Sequence, residues 1–137
     1  MRLSVGPLTR LTVTDVNQIH FGYPYTDVKF VRGTYVAAPA ANTNLTSFSV
    51  PPGKRAALIA LLIDATEGNL FDVVWISGGQ ARSYRLRLPS DGVVGYDFRP
   101  GLNTDLPADP NTSIIIRNVN AGSAGSLYKA DMLIGLW

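Results

Sequence analysis

The chain has 137 residues, 46% of them hydrophobic, no Cys, one His and a formal net charge of +2. Without Cys there is no disulfide, thiolate metal site or Cys nucleophile. With His20 alone, no centre that needs two His ligands can form, and no metal or other cofactor is expected.

That length fits one domain. Folding would reduce about 21,000 Å² of surface to about 7,000 Å², enough burial for a core without staples. Nine of the twelve cations are Arg and nine of the ten anions are Asp. Strong helix formers are therefore scarce. The charges are scattered, and the densest basic stretch is Arg82-Ser83-Tyr84-Arg85-Leu86-Arg87. A nucleic-acid partner would call for a dense basic face, so none is expected. Met1 to Pro7 has no apolar signal region, and the longest apolar run, Ala56 to Ile63, is too short to span a bilayer. Synthesis in a cytoplasm and no membrane partner are the expectation.

Residues 1–25 are apolar for a tail, with Leu3, Val5, Leu8, Leu11, Tyr23 and Tyr25 among them, and Pro7 and Pro24 interrupt them. They either fold back on the domain as an edge strand or extend as an arm onto a neighbour. Residues 26–137 read as the folded domain. Thr9 to Thr14 alternates polar and apolar. Asp27 to Ala37 does too, with Gly33 as a bulge position. Leu45 to Val50 is a strand ended by Pro51-Pro52-Gly53. Ala56 to Ile63 is apolar on both sides; its length and flanking turns favour a doubly buried strand over a short helix.

Leu70 to Ser77 and Gln80 to Leu88 flank Gly78-Gly79, a two-residue hairpin loop. That loop pairs residues whose numbers sum to 157. Phe71, Val73, Trp75, Tyr84 and Leu86 then share a core face. Asp72, Val74, Ser83, Arg85 and Arg87 share the wet or interface face. Val93 to Phe98, Ser113 to Val119 and Leu127 to Trp137 complete eight or nine strands, with a long irregular loop over 99–112. An all-β chain of this kind suits a single jelly-roll sandwich with an N-terminal extended arm.

Few motifs carry chemistry. His20 lacks a nucleophile motif beside it, so an edge or interface His is the better reading. No Gly-x-Ser-x-Gly elbow or phosphate loop occurs, and no enzyme is expected. Asp105, Asp109 and Asn111 have the chemistry of Ca²⁺ ligands but the spacing of no known calcium loop, and turn chemistry explains them equally well. Tyr23, Tyr25, Tyr96, Tyr128 and Trp137 are candidates for a sugar-stacking platform, against a plain core role. Arg82, Arg85 and Arg87 suit a solvated face or an interface with acidic partners.

Val50-Pro51-Pro52-Gly53-Lys54-Arg55 with the following strand resembles a turn and strand of small β-sandwich proteins of tailed-phage virions. Asp97-Phe98-Arg99-Pro100-Gly101-Leu102 resembles the segment that opens their next sheet edge. Ser113 to Ser126, with the strand ending Gly135-Leu136-Trp137, resembles their C-terminal hairpin. The likeness covers about residues 48–137 and is closest to capsid decoration (cement) proteins. It implies a homotrimer on the outer capsid surface that binds the major capsid protein across capsomer boundaries and stabilises the shell. Leu3, Val5, Leu8, Leu11, Tyr23 and Tyr25 would be arm contacts, and Arg85 and Arg87 polar interface residues. The scarcity of Glu and Lys departs from the usual habit of thermophile proteins. A carbohydrate- or receptor-binding module of a phage tail or attachment device shares the same turn-and-strand grammar and is the alternative.

Overall fold

The computed structural model describes residues 24–137; the expected strand Thr9 to Thr14, His20, and the arm residues Leu3, Val5, Leu8, Leu11 and Tyr23 lie outside them. The described residues form nine strands: β1 (Asp27–Val31), β2 (Val36–Ala37), β3 (Asn44–Ser49), β4 (Ala56–Ala65), β5 (Asn69–Ser77), β6 (Gln80–Leu88), β7 (Gly92–Asp97), β8 (Ser113–Asn118) and β9 (Leu127–Leu136). The first sheet has the order β1-β9-β4-β7, with β2 also on β9; the second has the order β3-β8-β5-β6. Every pairing is antiparallel. Counting β1 and β2 as one interrupted strand leaves eight, in the order of a jelly-roll sandwich.

Gly33 explains the interruption. A Cβ there would collide with the backbone carbonyl oxygen of Ala130 and stand 3.2 Å from the Leu45 oxygen, so only glycine fits unstrained. The Gly33 N–H leaves the ladder and donates to Asp131 Oδ1 at 2.8 Å.

The register of β4 against β9 shifts between Leu58 and Ala60. The extra residue reverses which parity faces inward. Ala56 and Leu58 before it, and Leu61, Ile63 and Ala65 after it, therefore all join the main core. Phe71 and Val73 from β5, Ile114 and Ile116 from β8, and Met132 and Ile134 from β9 fill that core from both sheets, all of them fully buried.

The β5–β6 hairpin has the expected register, from Asn69 opposite Leu88 to Ser77 opposite Gln80. Gly78 and Gly79 take φ of 60° and 74°, as a type I′ turn requires. One face assignment needs correction. Tyr84 shares the inner side with Phe71 and Leu86 but is 43% exposed. β6 is an edge strand, so the sandwich does not fully cover it there; the Tyr84 ring meets that of Phe98 edge-on at 6.0 Å.

The 99–112 loop is irregular but tied down. Asn103 accepts from the Leu58 N–H at 2.9 Å and donates to the Ala56 carbonyl at 3.3 Å. Ala108 bridges back to Ala56.

Candidate functional site

Residues directly opposite one another on paired strands share a face. On the first sheet, Val28 faces Gly135 and Phe30 faces Leu133 across β1 and β9. Gly135 in turn faces Ala57, Leu133 faces Ala60, and Asp131 faces Leu62. Since Met132, Ile134, Leu61 and Ile63 point into the core, this set points outward. The outer side of the first sheet is therefore largely apolar.

One end of that side is covered by the chain itself. Tyr25, Ala57 and Ile59 are buried together there, with Val28, Leu133 and Trp137 packed around them. The rings of Tyr25 and Trp137 lie 5.6 Å apart, and the Tyr25 hydroxyl donates to the Pro100 carbonyl. This corrects the reading of Tyr25 as an arm contact: its side chain is 0% exposed and belongs to the sandwich. Its apolar ring is better buried over Gly135 than left in water.

The middle of the face is open. Phe30 is 61% exposed, Val93 59% and Leu62 44%. Phe30, Ala60, Leu62 and Leu133 border a shallow apolar depression of about 230 Å³. Its surroundings are polar. The Arg32 guanidinium lies 5.6 Å from the centre of the Phe30 ring. Tyr35 donates its hydroxyl to Asp64, which holds the phenol above its ordinary pKa. Lys129 lies 5.5 Å from the centre of the Tyr35 ring and 3.7 Å from Asp131. An apolar centre within a charged rim is the anatomy of a protein-binding surface.

The outer side of the second sheet carries charged side chains beside the aliphatic Val74, Ile76 and Ile115. Arg117, Asp72 and Arg85 stand side by side on β8, β5 and β6. Arg85 donates twice to Asp72, at 2.8 and 3.1 Å. Arg85 and Arg87 are exposed there, the face their parity assigns. Arg87 borders an open depression of about 530 Å³ with Asn69, Pro89 and Asn120.

The other polar side chains hold loops. Asp109 accepts from the Gly78 and Gly79 N–H groups at 3.0 and 2.9 Å and from Arg55 at 2.6 Å. The two turn N–H groups, with Arg55 behind them, hold its carboxyl below the ordinary value. The Ca²⁺ candidate is thus a turn clamp. No group of three His, Cys, Asp or Glu suited to a metal occurs among the described residues. Glu67 accepts from the Ser123 hydroxyl and, at 2.7 Å, from Tyr128, and those bonds lower its pKa. Burial foremost, and then Glu67, raise that of Tyr128. Asn69 donates to Tyr128 at 2.8 Å and to the Asn120 carbonyl at 2.9 Å.

Among the described residues the candidates for a sugar platform do not gather on one open face, and Tyr23 lies outside those residues. Tyr25 and Tyr128 are fully buried. Tyr96 stacks on Phe98 at 5.9 Å with a 4° tilt. Sequence reasoning missed the cluster of Phe30, Leu62, Val93 and Leu133. Its one signal was that β4 is apolar on both sides, which requires an apolar outer face.

The chain matches no known family model and no curated protein.

Proposed function

We propose that this protein is a non-enzymatic structural protein of a tailed-phage virion, a decoration protein that binds the major capsid protein across capsomer boundaries. The observation that carries the reading is the open apolar strip of Phe30, Leu62 and Val93 on the outer side of the first sheet. Large exposed apolar side chains gathered on one face favour association over isolation. The jelly-roll order and the sequence likeness over about residues 48–137 are compatible with that role. The buried polar side chains Asn69, Asn118 and Asp131 each hold a backbone group of a loop, and Asn103 ties its own loop to the backbone of β4, which is a structural use.

Mechanistically, the protein adds buried area across a subunit boundary. Opening the shell must then break those contacts too. As a homotrimer it would engage several subunits at once, and effective concentration would turn a weak single contact into firm retention. The segment holding Leu3, Val5, Leu8 and Leu11 supplies further apolar contacts in this reading.

The test is light scattering of the protein alone, followed by sedimentation with capsid shells. A trimer that co-pellets supports the reading, and deletion of residues 1–14 should abolish co-pelleting. A monomer that stays in the supernatant overturns it. So does a deletion variant that decorates shells at wild-type occupancy.

A further inference from the structure

Among the described residues, β1 and β7 bound the first sheet, and β3 and β6 bound the second. An unpaired strand edge is a template for another strand, and proteins blunt it with charges, bulges or interruptions. β1 carries the exposed Asp27 and Lys29 and stops short of Gly33. β3 has a register irregularity against β8 between Asn44 and Thr46. β6 carries Arg82, Arg85 and Arg87. β7 has none of these devices. Val93-Val94-Gly95-Tyr96 is uncharged, its register on β4 is unbroken, and Val93 is 59% exposed.

The ladder decides which backbone groups lie open. The Phe98 N–H donates to the Ile59 carbonyl at 2.8 Å, in line with the register of β7 on β4. Bonding alternates along an antiparallel strand, so Tyr96 and Val94 also turn their N–H and C=O toward β4. Val93, Gly95 and Asp97 turn theirs to the open side. A second β7 laid antiparallel about a two-fold axis at Gly95 meets those groups with the same set. Val93 then stands opposite Asp97, and Gly95 opposite Gly95 with no side chain between them. Val94 stands opposite Tyr96, a β-branched and aromatic pair of the favourable kind. Just beyond the strand ends, Arg99 stands opposite Asp91, which has no ion pair among the described residues.

We propose that β7 is a pairing edge for a second copy of this chain, in a two-fold antiparallel β7–β7 contact centred on Gly95. Such a contact is self-complementary and closes on itself. It brings the two open apolar strips onto one continuous sheet face. It doubles whatever unit carries it, a monomer or the trimer of the capsid reading, so it does not rest on that reading.

The test reads the mass of the full chain by light scattering up to about 1 mM, because so small a contact is weak. Amide exchange is followed at the same concentrations. The mass should double with concentration, and the Val93 and Gly95 amides should slow as it does. The Val94 amide, already bonded to β4, should not change. V93P removes an outward N–H without touching the β4 ladder, and it should weaken the doubling at least about tenfold. V93K adds a charge to the edge and should do the same, and it carries the test if V93P does not fold. F30S/L62S alters the sheet face and leaves the edge, so it should still double. A mass that does not double overturns the proposal and leaves the capsid reading standing. Doubling that survives both V93P and V93K overturns it, as does doubling lost in F30S/L62S and kept in V93P. Slow exchange at Val93 and Gly95 that ignores concentration also overturns it, because the chain's own residues then fill the edge.

Discussion

The ring of Tyr25 occupies the space that a side chain at Gly135 would need: a Cβ at that position would stand 2.7 Å from Tyr25 Cζ. The segment entering β1 is thereby locked onto the closing strand β9 and, through the Tyr25 hydroxyl, onto the loop after β7. Residues that are 110 apart in sequence depend on each other. The lock also covers Ala57 and Ile59, which would otherwise face water.

Gly135→Ala should destabilise the protein by about 2 kcal/mol through overpacking. Tyr25→Ala should cost about 3 kcal/mol, the usual scale for deleting a buried ring. Because the two residues share one space, the double variant should be less destabilised than the sum by at least about 0.5 kcal/mol. Urea denaturation of the four proteins measures this. Additive losses would show that the two residues are not in contact.

Ile116 is fully buried on β8 at the centre of the second sheet, opposite Val73 on β5. Truncation to Ala should cost about 3 kcal/mol and to Val about 1 kcal/mol. Leu62 is equally apolar but lies on the open outer face, and Leu62→Ala should stay within about 0.5 kcal/mol of wild type. Thermal and urea unfolding test the contrast. Similar losses at both positions would contradict the assignment of faces.

Asp109 and Glu67 both have folded pKa values below their ordinary values of 3.8 and 4.5. A lowered folded value means stability that is complete above the ordinary value and lost as pH falls through the lower one. Stability should therefore fall as pH drops below those ordinary values, and D109N and E67Q should flatten that fall. Tyr35 and Tyr128 have raised values. Their contribution is complete below the ordinary value of 10.0 and is lost as pH rises through the raised one. Y35F should flatten the alkaline limb. Unfolding midpoints across pH measure both limbs, and unchanged slopes in the variants would refute the assignment.

Phe30 and Leu62 are surface residues for the monomer, so F30S/L62S should fold with a melting curve close to wild type. If the strip is the docking surface, the same variant should lose co-sedimentation with capsid shells. R87S, altered on the other sheet's exposed face, should retain it. A folded F30S/L62S protein that decorates normally would move the interface elsewhere.

Local chemistry made much of the fold legible. Gly78-Gly79 set the turn, and the turn set the pairing of Asp72 with Arg85 and Phe71 with Leu86. Pro51-Pro52-Gly53 ended β3, and Gly33 marked the break between β1 and β2. Those features depend on backbone freedom at single residues. The candidate site was less legible. Val28 and Phe30 alternate with polar residues as core residues do, yet their partners on β9 place them outside. Periodicity tells which residues share a side; it does not tell which side meets the other sheet.

The sequence by itself determined the all-β class, the absence of thiol chemistry, the hairpin register and the outward placement of Arg85 and Arg87. Turn propensity and side-chain alternation act over a few residues, so they can be read along the chain. The tertiary structure alone decided that Tyr25 is core, that the β4 bulge turns both of its halves inward, and that Asp109 clamps a turn some thirty residues away. It also decided that Phe30, Leu62 and Val93 share one open face. Each of these rests on which strands become neighbours, and that depends on burial summed over the whole chain rather than on any local preference.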